Sequence, residues 1–198
     1  MPVLQIEGSA PPAAIRRTVL GLDPGTQVLG YGVVAQDCQG KLHLLTLGSI
    51  PLSKLVNHYA RLGHIYARVL ELVQHYQPTE VAIEAPFFGK NAQSMLKLGR
   101  AQGVAIAAAM STERVVVEYA PRRIKQAITG QGDASKEQVA FFLQQMFPAI
   151  NLGELAHYDA TDGLAAAVCH LGQKLASGPK RSTSWEDYVQ HHPERLKS

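Results

Sequence analysis

Four carboxylates stand where apolar elements end. Asp23 closes the run TVLGLD (Thr18–Asp23), and Glu84 closes EVAIE (Glu80–Glu84). An acid at the end of a buried strand must be paired with a cation or bind a metal. Asp159 and Asp162 are three apart near the start of the last apolar segment, a spacing that projects both side chains from one face of a helix. Hard divalent cations take oxygen ligands, and Mg²⁺ uses a few carboxylates while keeping several waters. Two such ions, ~3.5–4 Å apart, can clamp the attacking and leaving oxygens of an in-line phosphoryl displacement. Taken singly, each acid has an ordinary reading. Asp23-Pro24-Gly25 suits a turn, Glu84 suits an arginine partner, and Asp159 suits the positive end of a helix. Only their meeting in space would make a site.

The surroundings favour a polyanionic partner. From Ala85 to Lys136 eight basic residues (Lys90, Lys97, Arg100, Arg114, Arg122, Arg123, Lys125, Lys136) face three acidic ones (Glu113, Glu118, Asp133), leaving that stretch at +5. Lysine and arginine that neutralise phosphates release counterions, so such a bias suits nucleic acid, although a solvated basic surface has the same composition. Phe87 and Phe88 follow Glu84 closely. Either one can be core, and an exposed one can stack on an unpaired base. The whole chain of 198 residues has a net charge of +3, with 46% hydrophobic and 18% charged residues, which excludes a disordered composition. Its longest apolar run is too short for a membrane span. The opening residues lack a basic n-region and an apolar h-region, so a cytoplasmic protein is expected, with Cys38 and Cys169 as reduced thiols.

The elements that must position these residues follow from periodicity. Thr18–Asp23, Gly30–Ala35 and Leu42–Ile50 read as three strands with short connections, an antiparallel meander. Leu55, Tyr59, Leu62, Tyr66, Val69, Val73 and Tyr76 then mark one face of a long helix, with Ser53 as N-cap and Pro78 beyond its end. Glu80–Glu84 is a short buried strand. Asn91–Met110 is a second helix, with Gly99, Gly103 and Ala107 four apart, a stripe that permits close approach of another backbone despite its cost in helix stability. Arg114–Glu118 is a fifth strand. Pro121 starts a helix that Gly130 and Gly132 break, Ser135 caps the next through Phe147, and a last helix runs from about Ala156 to Leu175, held to the core by Leu164, Val168 and Leu171. This order predicts a mixed five-stranded sheet with helices on both faces, the ribonuclease H-like order of elements. The folded domain is expected over 18–175, with residues 1–17 a flexible extension and 176–198 a polar tail.

Three blocks resemble the RuvC family of crossover-junction endodeoxyribonucleases: LGLDPGTQVLGYGVV (Leu20–Val34), AIEAPFFGKNAQSMLKLGRAQGVAIAAA (Ala82–Ala109) and EYAPRRIKQAITGQGDASKEQV (Glu118–Val139), followed at the right distance by DATDGLAAAVCH. The resemblance covers Thr18 to Leu175 and implies a metal-dependent nuclease that resolves Holliday junctions in recombination and repair by paired cuts leaving 5′-phosphate and 3′-hydroxyl ends. Under it, Asp23, Glu84, Asp159 and Asp162 match the family's catalytic, metal-binding acids. Some members carry His at the position of Asp159; here the acidic set is complete. The implied cofactor is Mg²⁺, two per subunit, with Mn²⁺ able to substitute. Phe87 matches an aromatic at the junction centre, and Lys125 and Lys136 match basic residues near the scissile phosphate. Lys90 and Arg122, from the same basic stretch, are expected on that DNA surface. The helix bearing Gly99, Gly103 and Ala107 resembles the one that forms a homodimer interface. The family also works with a branch-migration complex, a junction-binding tetramer and a ring helicase. His157, beside Asp159, reads as a helix-start residue.

Two rival readings remain at this stage. DPGT (Asp23–Thr26) resembles the first phosphate loop of actin-like and Hsp70-like ATPases, but that fold needs two such domains and a second Gly-rich loop. A relative that only binds junctions, or one that cuts RNA, would share much of the pattern.

Overall fold

The computed structural model describes residues 5–7, 14–86, 91–151 and 158–173. In chain order these form β1 (Gln5–Glu7), β2 (Ile15–Pro24), β3 (Val28–Asp37), β4 (Leu42–Pro51), α1 (His58–Tyr76), β5 (Glu80–Glu84), α2 (Ala92–Met110), β6 (Val115–Tyr119), α3 (Pro121–Thr129), α4 (Lys136–Met146) and α5 (Asp159–Leu171). The strands make one sheet in the order β1-β4-β3-β2-β5-β6. β2, β3 and β4 pair antiparallel, and β5 and β6 add in parallel to β2 through helical crossovers. This is the ribonuclease H-like arrangement, with the five expected strands in place.

A sixth strand extends it. Residues 1–17, expected as an extension outside the domain, supply both β1, which pairs antiparallel with β4, and the first residues of β2, Ile15–Arg17. β4 would otherwise present an open edge, and pairing or covering such an edge is how sheets avoid unwanted partners. Alanine and proline punctuate the segment, and a three-residue strand is too short to leave an alternating signature.

Alternation divides the core. Leu20, Leu22, Leu29, Tyr31, Val33, Val81 and Ile83 point to one face, where α1 and the alanines of α2 cover them. Val19, Val34, Leu44, Leu47 and Ala82 point to the other, against α3, α4 and α5. The helix starts follow local chemistry. Pro121 is the first residue of α3, and Gly130 ends it with φ 78°, the left-handed conformation glycine takes without strain. Ser135 and Gln138 form a reciprocal capping box on α4.

α1 departs from expectation. Its N-cap is Asn57, whose side chain accepts from the Ala60 N–H at 2.9 Å, while the Ser53 carbonyl accepts from Arg61. Its buried face is Ile65, Val69, Leu72 and Val73, and Tyr59 and Tyr66 are 76% and 40% exposed. Tyrosines fit an apolar stripe by spacing alone but tolerate its wet margin. No helix among the described residues is long and apolar enough to cross a membrane.

Candidate active site

β2 and β5 run parallel with Leu22 opposite Ile83, so Asp23 and Glu84 follow side by side at the C-terminal ends of neighbouring strands. Parity sets their direction. Val19 and Ala82 face α5, and Gly21, Asp23 and Glu84 repeat that direction at two-residue intervals.

α5 brings the remaining two acids. It is buried all round, rather than on the single face that Leu164, Val168 and Leu171 predicted: of its 13 residues only Asp159 and Asp162 escape burial. The cause is a floor of glycine. A Cβ at Gly21 would overlap the Gly163 carbonyl and Ala167, one at Gly30 would overlap the Asp159 carbonyl, and one at Gly32 would lie 2.6 Å from Leu164 Cα. Gly163 returns the fit, since its own Cβ would lie 2.6 Å from the Tyr31 backbone. The helix therefore rests on the sheet backbone to backbone, with α3 and α4 closing over it.

The result is a cluster. One carboxylate oxygen from each of Asp23, Asp159 and Asp162 lies within 4.8 Å of the others. Glu84 lines the same small recess as Asp23 and Asp162, together with Pro121, Ile124, Lys125, Lys136, Val139 and Ala165. Asp159 and Asp162 occupy the first turn of α5, where the unpaired N–H groups favour negative charge.

The charges are poorly compensated. Burial, then the charges of Asp162 and Asp159, push the Asp23 carboxyl up to about 7, although Lys136 opposes the shift. Burial, then Asp23 and Asp162, push Glu84 up to about 8 against the pull of Lys136 and Lys125. Burial also raises Asp162, whose carboxylate accepts from the Lys136 ammonium. Burial works against the charge of Lys136, but Asp162, Asp23 and Asp159 hold its pKa above the ordinary lysine range. Carboxylates raised this far are sites that a proton or a cation would neutralise. An all-oxygen donor set in a recess of about 70 Å³ fits a hard divalent ion with a water or two.

The basic residues are placed unevenly. Lys125 and Lys136 line the recess with the acids, while Arg122 and Lys125 line an adjoining groove of about 440 Å³ with Ala120, Pro121 and Gly132. Gly132 leaves room for the stem of Arg122, since a Cβ there would lie 2.6 Å from Arg122 Cγ. Phe87, Lys90 and His157 lie outside the described residues. Gly99, Gly103 and Ala107 lie along the outer face of α2, and among the described residues nothing beyond the helix's own adjoining backbone comes within 4 Å of a Cβ built on either glycine. Leu96 and Met110 flank that stripe at 64% and 60% exposure.

Two contributors escaped sequence reasoning. Gly21, Gly30 and Gly32, spaced through strand runs, carry the signal of close backbone approach. Gln102, inside an apolar helix, carries no signal of its own, yet its side-chain N–H₂ donates to Glu118 Oε1 at 2.8 Å and to the Glu84 carbonyl at 3.4 Å.

Comparison with known proteins places this geometry. The profile of the crossover junction endodeoxyribonuclease RuvC family matches residues 19–170. The chain is 51% identical over 184 residues to the crossover junction endodeoxyribonuclease RuvC of Bacteroides fragilis, covering 91% of this chain and 96% of that one. It is 50% identical over 185 residues to that of Porphyromonas gingivalis, covering 91% and 97%. The solved structure of T. thermophilus RuvC in complex with a Holliday junction substrate is similar at a TM-score of 0.70 and 34% identity, over 78% of this chain and 93% of that one. A yeast mitochondrial Holliday junction resolvase shares the fold at a TM-score of 0.59 and 13% identity, over 95% of this chain and 88% of that one.

Proposed function

The chain belongs to the RuvC family of crossover junction endodeoxyribonucleases, and from that membership we propose that it resolves Holliday junctions as a homodimer, each subunit hydrolysing one phosphodiester at Asp23, Glu84, Asp159 and Asp162. The observation that carries the reading is the convergence of three carboxylates within 4.8 Å, beside a fourth, in one half-buried recess. These four side chains would hold two Mg²⁺ ions, or Mn²⁺ in their place, which supply a bound water of lowered pKa for attack and charge to stabilise the departing 3′ oxygen.

The chain's own residues do the rest. The acids fix where a cation can sit, and the glycine-seated α5 holds two of them rigidly against Asp23. Lys136, with its side chain 55% exposed, can exchange Asp162 for a phosphate oxygen. Lys125 bridges the recess and the groove, so it can meet the strand on the way in, and Arg122 extends the cationic track. Phe87, which follows Glu84 in sequence, is assigned to the junction centre on the family resemblance, and Lys90, from the same basic stretch, to the DNA surface. The products carry 5′-phosphate and 3′-hydroxyl ends that a ligase can rejoin.

Two cuts need two sites. A C₂ dimer presents identical sites related by the same rotation as the approximately two-fold junction. The open outer face of α2, with Gly99, Gly103 and Ala107, is the proposed contact, and Gly103→Leu should abolish dimers and paired cutting while sparing metal binding. A cytoplasmic enzyme handing its junctions on from a branch-migration complex completes the reading. The test is incubation with Mg²⁺ and labelled four-way junction, linear duplex and RNA hairpin. Selective conversion of the junction to nicked linear duplexes is expected; preferential cleavage of the RNA, or junction binding without cutting, would overturn it.

A further inference from the structure

We infer that Gln102 is a positioning residue for Glu84, the link through which the placement of α2 is imposed on the metal site; the inference rests on Glu84 being a metal-holding acid. Glu84 ends β5, and a strand end is held by fewer ladder bonds than a strand centre. Beyond it the ladder continues only as far as Ala85 N–H donating to the Tyr119 carbonyl at 2.9 Å. The Glu84–Ala85 peptide is thus held by that one bond on the β6 side, and its orientation bears on the direction in which the carboxylate leaves the chain.

Gln102 adds a second constraint from behind the sheet, on the carbonyl of that same peptide. The acids face α5, whereas α2 packs on the opposite face, with Ala101, Ala105, Ala108 and Ala109 in its core. Gln102 is the polar residue in that buried set, 7% exposed. An amide nitrogen has two hydrogens, and the two contacts here use both: one donates to Glu118 Oε1 at 2.8 Å and the other to the Glu84 carbonyl at 3.4 Å. The short bond to Glu118, on neighbouring β6, fixes the rotamer. The longer one is then aimed by it. A small error in placing a reacting group is costly far out of proportion to its size.

The test compares Gln102→Met, which keeps shape but has no donor, with Glu118→Ala and with Gln102→Arg, which keeps donors toward both oxygens. Mn²⁺ affinity is read by electron paramagnetic resonance on each dimeric protein, and the Mg²⁺ dependence of junction cutting is measured alongside. Outer-shell partners typically tune metal affinity by 10–100-fold, so the Met variant should bind Mn²⁺ about tenfold more weakly and need about tenfold more Mg²⁺ for half-maximal rate, with the saturated rate nearly retained. The Arg variant should stay close to the parent protein, and Glu118→Ala, which loses the bond that aims Gln102 but keeps the donor to Glu84, should fall between the parent and the Met variant. Should the Met variant not fold, Gln102→Leu, also without a donor, stands in and should show the same weakening. Unchanged Mn²⁺ affinity in the donorless variant would overturn the inference, as would an equal loss in Glu118→Ala, which would make Gln102 a bracket between α2 and β6. A parent protein that binds Mn²⁺ but cuts no junction would sink the resolvase reading instead and leave the affinity comparison standing.

Discussion

β5 carries two glutamates four residues apart on one face of the sheet, and their surroundings differ in kind. Glu80, at the start of the strand, accepts from Arg17 Nε and Nη2 at 2.9 and 2.7 Å, with His170 Nε2 at 3.5 Å. His170 in turn meets the Tyr119 hydroxyl through Nδ1 at 2.7 Å, so the far end of α5 closes over a polar network. Glu84, at the other end, shares its recess with Asp23 and Asp162 and carries no comparable partner among the described residues, and burial lifts its carboxyl to about 8 against the pull of Lys136 and Lys125. The same residue type, on the same strand and facing the same helix, is ion-paired where its charge is answered, and where it is not it is the acid proposed to hold metal. Charge pairing, more than burial or residue identity, separates the two.

The sharpest way to break this contrast is to remove unanswered charge. Asp162→Asn should lower junction cutting by on the order of a hundredfold or more, since losing a ligand costs at least as much as losing an outer-shell partner. Junction binding in Ca²⁺ should persist or tighten, as one negative charge fewer repels phosphate. Normal cutting by this variant would dissolve the four-acid site.

Removing an answered charge should do the reverse. Glu80→Gln leaves Arg17, whose side chain is 10% exposed, without its counter-charge. Orphaning one member of a buried pair costs about 3 kcal/mol, and each kcal/mol lowers the Tm of a protein this size by roughly 2–4 °C. Cutting below the new Tm should survive. A variant with parental Tm and no activity would show that Glu80 belongs to the chemistry.

A smaller effect comes from proton linkage. Asp23 and Glu84 titrate at about 7 and about 8 in the folded protein, against ordinary carboxylate values when unfolded. The metal-free folded form therefore holds extra protons between those ranges, and it loses stability as pH rises through that window, with little more to lose above it. Glu84→Gln lacks one such group. In EDTA its Tm should gain on the parent protein from about pH 5 to about pH 8 and then level off. Saturating Mg²⁺ should narrow the gap. A Tm difference that is flat with pH would mean the acid is already compensated.

The smallest change concerns the rim. Lys125→Ala should weaken junction binding and reduce the salt slope by about one unit, as for one lost phosphate contact. Lys136→Ala should do the same while also removing the partner of Asp162. An unchanged slope in the double variant would move the DNA surface elsewhere.

Most of this contrast was readable in advance. Asp23 and Glu84 announced themselves by ending apolar runs, Asp159 and Asp162 by helical spacing, and Pro121, Gly130 and Ser135 by the helix ends they form. What stayed hidden depended on partners distant in sequence. Arg17 and Glu80 are 63 residues apart, and nothing local marks one as the answer to the other. Tyr59 and Tyr66 fit the apolar stripe of α1 but lie outside its contact with the sheet, because spacing fixes a face only to within its width. Gln102 is one polar residue among alanines, and its meaning lies in the two oxygens that the fold brings to it. β1 is three residues long and owes its strand conformation to the edge of β4.

The seat of α5 sets how the site yields to disturbance. Side chains in contact have alternative rotamers, so a core packed through them can give under heat, pressure or mutation by letting one rotate. Gly21, Gly30 and Gly32 against Gly163 and its neighbours have nothing to rotate. The spacing between Asp23 and the acids of α5 is therefore set by the stiffest material in the molecule, and substitutions elsewhere in the core are absorbed before they reach it. Compliance is left to the strand on the other flank, whose end carries Glu84.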